Sequence, residues 1–309
     1  MKAVRYHAYG DSDVLVYEDA DRPVAGPGQV VVKMVGAAFN PADAGIRGGY
    51  LQQAFAVTFP HIPGYDVSGV IAEVGEGVSG WGAGDAVVAF LPIGVDGAAA
   101  EFAAAPAEAL AAAPRTVELA DAAALPSTGL TAWQALFDEA GLTAGQGILV
   151  NGASGAVGGY AVQLATQAGA AVTATGDPRS ASRLHSYGAD EVIDYTVTPL
   201  LQAVAGRRFD VVLNLVRATP EDTTQLTDLV ADGGTFLSTI PGPVTARDGV
   251  RTVQVFVRSD AAELAGLVTR VDAGDLKIYV SQHRPLADLA AVHHEADAGR
   301  LAGKTILTP

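Results

Sequence analysis

The sequence predicts an α/β protein in which a smaller antiparallel sheet or barrel precedes a parallel, doubly wound sheet. Three observations carry this. The first part of the chain holds short apolar runs broken by Gly and Pro, as closely spaced antiparallel strands do. From about residue 120, apolar runs alternate with amphipathic stretches, the rhythm of βαβ units. Within that alternation the turn Asn151-Gly152-Ala153-Ser154-Gly155-Ala156-Val157-Gly158-Gly159 follows the apolar run Ile148-Leu149-Val150 and opens an amphipathic stretch over 157–168.

The early strands fall at 29–35, after the turn Pro27-Gly28, and at 67–74 and 86–90. A helical stretch over 121–140, interrupted near Pro126 and Gly129, leads into the alternating part. Strands are expected there at 147–151, 171–175, 191–194, 210–215, 234–239 and 253–257. Helices are expected at 157–168, 180–187, 199–205, 220–231 and 260–273. The tail reads as a short strand at 277–280, a helix at 286–298 and a closing strand at 304–307. Periodicity leaves two places for the tail: it extends the parallel sheet, or it returns to the first domain.

A chain of 309 residues is long enough for two domains with sizeable cores. Hydrophobic residues at 49% against charged residues at 17% suit a packed protein and exclude general disorder. No apolar run is long enough to span a membrane, and the N-terminus has no long apolar leader core. Cytoplasm is therefore the expected compartment. A net charge of −15 argues against nucleic acid, for want of a basic stripe to displace counterions. Cysteine is absent, which excludes disulfides, a cysteine-ligated zinc and thiol nucleophiles together.

Glycine supplies 36 of the residues, so a glycine pattern alone is weak. A buried strand, small residues and then a helix start form the arrangement that cradles a pyrophosphate, because helix amides and dipole favour negative charge. Ala153, Ser154, Gly155, Ala156, Val157 and Gly158 are thus the expected phosphate contacts, a structural glycine turn being the alternative.

With these residues in view, the chain resembles the medium-chain dehydrogenase/reductase superfamily, in its zinc-free quinone oxidoreductase branch. Four stretches carry the likeness: Phe39-Asn40-Pro41-Ala42-Asp43 with Arg47-Gly48-Gly49-Tyr50; Pro63-Gly64-Tyr65-Asp66-Val67-Ser68-Gly69-Val70; Leu125-Pro126-Ser127-Thr128-Gly129-Leu130-Thr131-Ala132-Trp133; and the glycine turn followed by Gly188-Ala189-Asp190-Glu191-Val192-Ile193-Asp194-Tyr195. The resemblance implies a GroES-like β-barrel domain (1–122 with 258–309), to which the tail returns. A Rossmann domain (123–257) is inserted in it, with the active site in the cleft, and the protein forms a homodimer. Zinc-dependent relatives carry Gly-His-Glu where this chain has Gly64-Tyr65-Asp66, and a neutral phenol is a poor ligand for zinc. The six histidines read as surface or loop residues, so no metal is expected.

For the cofactor, NAD-preferring Rossmann proteins place an acid at the end of the second strand, about 20 residues past the glycines. Thr175 falls at that position and is neutral; Arg179, Ser180 and Arg183 follow at the spacing needed to grip a 2′-phosphate. NADPH is the expected cofactor. A strand two residues longer makes Asp177 the ribose acid and reverses the preference to NADH, and a solvated helix face is the plain reading of the arginines. Tyr195 matches a tyrosine near the adenosine phosphate, or packs on its own helix. Leu215, Val216, Ile240, Phe256 and Val257 match the strand ends that flank nicotinamide in relatives. Lys304 either reaches the cofactor or is an exposed lysine.

By family position Asn40, Tyr50 and Thr128 are the catalytic candidates. Asn40 and Thr128 offer neutral donors to nicotinamide or a substrate oxygen, while Tyr50 is an aromatic wall or an oxyanion donor. The chemistry belongs to the cofactor, and the weak demand for a dedicated acid fits a quinone or an α,β-unsaturated carbonyl. An enoyl-thioester reductase and a non-enzymatic NADPH-binding protein are the competing readings.

Overall fold

The computed structural model describes residues 1–242, 244–301 and 303–309. It divides into two units, Met1–Ser127 with Ser259–Pro309, and Thr128–Arg258.

In the first unit, β1 (Lys2–Arg5) and β2 (Val16–Asp19) make an antiparallel ribbon. Next come β3 (Gln29–Ala38), α1 (Pro41–Arg47), β4 (Asp66–Val74), β5 (Ala86–Phe90), β6 (Phe102–Pro106) and β7 (Leu110–Ala112). β3 runs three residues beyond the expected 29–35 because Ala37 and Ala38 pair with both β4 and the chain's last strand. Valines fill its middle, with Val30, Val31 and Val32 fully buried; β-branched side chains suit such a pleated, packed position.

The helical stretch expected over 121–140 is a 3₁₀ turn at Asp121–Ala124, then α2 (Pro126–Trp133) and a π-helical turn at Gln134–Glu139. Pro126 occupies the first helical position, where its missing N–H leaves no bond unmade. Gly129 lies inside α2 and does not break it.

The second unit continues with β8 (Gly147–Asn151), α3 (Ala156–Gln167), β9 (Ala171–Gly176), α4 (Pro178–Ser186), β10 (Glu191–Asp194), α5 (Leu200–Ala203), β11 (Phe209–Asn214), α6 (Pro220–Thr227), β12 (Val230–Ser238) and β13 (Arg251–Gln254). The six strands are all parallel in the order β10-β9-β8-β11-β12-β13. This is the doubly wound arrangement, and its order reverses between β8 and β11, where such sheets bind ligands beyond their carboxyl ends. Leu149, Val212 and Phe236 are fully buried in its core, each contributing about 1.5–3 kcal/mol of apolar burial. β13 stops at Gln254, short of the expected 257, so Phe256 and Val257 lie past the strand.

After the second unit the chain re-enters the first with α7 (Ala261–Asp272), β14 (Gln282–Pro285), α8 (Leu289–Asp297) and β15 (Thr305–Thr308). The choice left open by periodicity is resolved: β15 pairs antiparallel with β3 and parallel with β14, in a sheet ordered β14-β15-β3-β4-β5-β7 with β6 also on β3. The strand expected at 277–280 is not formed. Ile278 and Val280 still pack against the cluster around Ala38 and Ile306, so the apolar alternation is real. Sheet pairing, however, begins only at Gln282.

Candidate active site and cofactor site

In the second unit the site is built at the carboxyl ends of β8, β9 and β11. Gly152 has φ +95°, a conformation that L side chains rarely adopt. Its amide donates to Thr175 Oγ1 at 2.8 Å, and that hydroxyl donates to Asn151 Oδ1 at 3.1 Å. Asn151 Nδ2 in turn donates to Asn214 Oδ1 at 2.9 Å, and Asn214 Nδ2 to the Val216 carbonyl at 3.0 Å. This chain of bonds ties three strand ends to the glycine turn. Thr175 is thus a buried brace of the turn. Asn151 and Asn214, absent from the expected site, are its other members, and an Asn closing each of two apolar runs was the available signal.

α3 starts behind the turn with Gly155 as its N-cap and no side-chain cap. A Cβ on Gly158 would lie 2.5 Å from both Ala153 Cα and Gly152 O, so turn and helix touch backbone to backbone. The Gly155, Ala156 and Val157 surface remains accessible. An uncapped start to a twelve-residue helix, fronted by a turn without side chains, fits a pyrophosphate.

β9 ends at Gly176, one residue past Thr175, and Asp177 is the N-cap of α4. Its carboxylate accepts from Ser180 N at 2.9 Å and from Arg179 Nε at 2.7 Å. The Ser180 bond first, then Arg179, hold this carboxyl below its ordinary range. Ser180 Oγ is 2.8 Å from Ser154 Oγ, and Arg183 donates to the Ser154 carbonyl at 3.0 Å. Arg183 and Ser180 therefore reach the phosphate turn, whereas Arg179 projects outward, its side chain 86% exposed. Leu215 and Val216 border Gly152, within about 3 Å of where its Cβ would be. Ile240 donates to Ser238 Oγ, and Tyr195 and Phe256 are exposed.

In the first unit Asn40 precedes α1, and its N–H donates to Asp43 Oδ2 at 2.8 Å. Asp66, fully buried at the start of β4, accepts from Ser127 N at 2.7 Å, Ser127 Oγ at 2.6 Å and Asn40 Nδ2 at 2.8 Å. Lys304 is 3% exposed, which overturns the exposed reading of this residue; its ammonium donates to Asn40 Oδ1 at 2.6 Å and reaches Asp66 Oδ2 at 3.4 Å. Tyr65 packs edge-on against Phe90. Burial first, then Asp43 and Asp66, push its hydroxyl well above the ordinary phenol range. Tyr50 stands 84% exposed beside Gly48; Thr128, which belongs to the second unit, is buried on α2.

One histidine departs from the expected surface or loop placement, and a second, in a loop as expected, is nevertheless buried. His293 on α8 is fully buried and lies 3.1 Å from Arg47, and buried His61 meets the Tyr6 ring edge-on. The burial of His293 was hidden because His carries no periodic signal of its own; the face of α8 that turns inward decides it.

Burial lifts the Asp43 carboxyl from 3.8 to about 7, the Asp66 charge adding to the shift while Asn40 N–H and Lys304 oppose it. A carboxyl whose pKa is raised by folding binds its proton more tightly in the fold. Its contribution is therefore fullest below about pH 4 and is lost as pH rises through about 7. Asp43→Asn keeps an acceptor for Asn40 N–H without titrating. We expect the variant's unfolding free energy to gain on that of the wild type, by about 1 kcal/mol or more, as pH rises from about 4 to 8. Denaturant titrations at both pH values check it; a pH-independent difference would mean that Asp43 is ionised throughout.

Comparisons with known proteins match both units. The alcohol dehydrogenase GroES-like domain family matches residues 26–115, and the zinc-binding dehydrogenase family matches residues 187–307. The chain is 35% identical to the chloroplast envelope quinone oxidoreductase homolog of Arabidopsis thaliana, covering all of this chain and 98% of that relative. It is 31% identical to the NADPH-dependent alkenal/one oxidoreductase, chloroplastic, of the same plant, covering all of this chain and 80% of that protein. The solved quinone oxidoreductase from Coxiella burnetii superposes with a TM-score of 0.90 at 27% identity, over 100% of this chain and 99% of that one. The chain belongs to the medium-chain dehydrogenase/reductase superfamily, in its quinone oxidoreductase branch.

The zinc named for one matching family does not fit the donors present. Tyr65 stands where zinc relatives have His, and its phenol is held neutral by burial. There is no cysteine, and an ammonium already lies against Asn40 and Asp66. Among the described residues no group of three or more His, Asp or Glu is arranged to hold a metal ion, and no helix is long and apolar enough to cross a membrane.

Proposed function

We propose that the chain is a zinc-independent oxidoreductase that uses NADPH to reduce a quinone or an α,β-unsaturated carbonyl. The observation that carries this reading is the uncapped start of α3 behind the Gly152 turn, with a neutral Thr175 at the end of β9. The nicotinamide supplies the hydride; the chain supplies position and electrostatics. Gly155 and the amides of residues 156–158 hold the pyrophosphate, and Ser180, Arg183 and Arg179 face the 2′-phosphate. Leu215, Val216, Ile240, Phe256 and Val257 wall the nicotinamide half, and Tyr195 borders the adenosine. Asn40 and Thr128 orient the reacting carbonyl, Tyr50 lines the approach, and water delivers the proton. The same reading includes a homodimer joined through β13, the edge strand of the parallel sheet, which sedimentation would register as twice the 31.4 kDa chain.

Oxidation of NADPH and of NADH by a panel of quinones and enones tests the activity; tight NADPH binding without turnover on any acceptor overturns it. The cofactor choice has its own test in the Asp177–Arg179 pair. Asp177 competes with a 2′-phosphate for Arg179, and Asn caps a helix as well as Asp. Asp177→Asn should therefore tighten NADPH severalfold and leave NADH unchanged. Arg179→Ala should weaken NADPH only about fivefold or less, since an exposed charge pair is worth about 1 kcal/mol at most. Weaker NADH binding by Asp177→Asn would make Asp177 the ribose ligand and end the NADPH assignment.

A further inference from the structure

Four segments distant in sequence meet at one buried polar point: Asn40 capping α1 with Asp43 in its first turn, Asp66 opening β4, Ser127 at the start of α2, and Lys304 from the tail. Asp43 and Asp66 are both buried carboxyls, and Lys304 is the cation that reaches Asp66, with Asp43 near enough for its charge to act on it. Burying an ammonium is costly unless it is paired and hydrogen-bonded. The fold accepts that cost and holds the lysine firmly. Its carbonyl accepts from both Ser281 N and Ser281 Oγ. Gly303 before it takes φ +68° against the Ser281 side chain, and Thr305 after it opens β15.

The hydrogen bonds also dictate how the Asn40 amide faces. Lysine has donors only, so the atom 2.6 Å from its Nζ is the amide oxygen, and the atom 2.8 Å from the Asp66 carboxylate is the amide nitrogen. One amide hydrogen is thereby committed to Asp66. The second has only the Ala38 carbonyl at 3.4 Å and is the donor left for an incoming oxygen.

We infer that Lys304 is a positioning residue of the reaction site, a built-in cation that fixes the Asn40 amide and stands against the donors a divalent metal would need. The catalytic half of this inference rests on Asn40 acting as proposed above; the electrostatic half does not.

Lys304→Met, Asp66→Asn and the double variant test both halves. Each single change strands one charged or polar partner, so each lowers the denaturation midpoint. The double removes the pair together and unfolds at a higher denaturant concentration than either single variant. A double variant no more stable than the weaker single overturns the pairing, and this readout needs no activity. For positioning, the double variant should reduce a quinone with kcat at least tenfold below wild type, while NADPH titrated by fluorescence keeps its Kd within about threefold, under ~0.7 kcal/mol. Unchanged kcat in the double variant overturns the positioning role and leaves the activity itself intact. If wild type reduces no acceptor, the proposed function fails while the stability cycle still judges the cation. Dialysis of the wild type against zinc, then elemental analysis, completes the test: retention of one zinc per chain overturns the claim that Lys304 stands in a metal's place.

Discussion

Gly158→Val is expected to abolish useful binding of the nicotinamide cofactor, weakening NADPH by at least 100-fold, about 2.7 kcal/mol. A Cβ at this position would meet the Ala153 and Gly152 backbone at 2.5 Å. Neither partner is a side chain that can swing aside, so the phosphate turn and the first turn of α3 must separate. Overpacking of this kind also costs about 1–3 kcal/mol of stability. Gly266→Ala in α7 is the control, because nothing lies within 4 Å of its added Cβ. That change should be neutral or stabilise by about 0.5–1 kcal/mol, as Ala replaces Gly inside a helix. Fluorescence titration of NADPH with denaturant unfolding of both variants decides the matter. A Gly158→Val protein that binds NADPH within threefold of wild type would remove the turn from the cofactor site.

Arg47→Met is expected to cost the first unit about 1–3 kcal/mol of stability, the penalty for stranding hydrogen-bonding groups inside the fold. The side chain is 3% exposed and lies at the end of α1. Nε donates to the Gly10 carbonyl at 3.1 Å, one terminal nitrogen donates to Asp297 at 2.8 Å, and the other lies 3.1 Å from His293 Nδ1. Arginine has no acceptor, so Nδ1 of His293 is the unprotonated nitrogen and the ring is neutral. Burial first, then Arg47, press His293 down to about 3. Methionine fills the volume and offers none of the donors, leaving His293 Nδ1 buried without a partner and the half-buried Gly10 carbonyl without its donor. Arg47→Lys, with one donor group in place of the fork, should fall between the two. Urea unfolding of the three proteins measures it; a loss under 1 kcal/mol for Arg47→Met would show that the clamp between α1 and α8 is dispensable.

Much of this molecule is written in local pattern. The strand–turn–helix at Ile148 to Val157 is legible because three local demands coincide: a buried run, residues small enough for backbone contact, and an uncapped helix start. The parallel sheet follows from the alternation of apolar runs and amphipathic stretches, since each βα unit leaves the helix face that the next strand covers. The absence of cysteine and the neutral Thr175 are likewise properties of the chain itself.

Other features depend on who meets whom. The alternation at Ile278 and Val280 reads as a strand, yet an extended apolar stretch enters a sheet only where a partner has free N–H and C=O groups, and β15 offers these from Gln282 onward. His293 carries nothing in its neighbours to distinguish it from exposed His294; the inward face of α8 and the Arg47 fork make it a buried neutral ring. Lys304 in isolation is as compatible with solvent as with a cofactor. It becomes an internal cation only because β15 returns to β3 and brings the tail against Asn40 and Asp66, carboxylate and amide groups more than two hundred residues away in sequence. Local sequence thus determined the elements and the phosphate turn, where the interacting groups are neighbours in the chain. Tertiary structure alone decided the charge balance of the first unit, because the energy of a buried ion depends on partners that only the completed sheet places beside it.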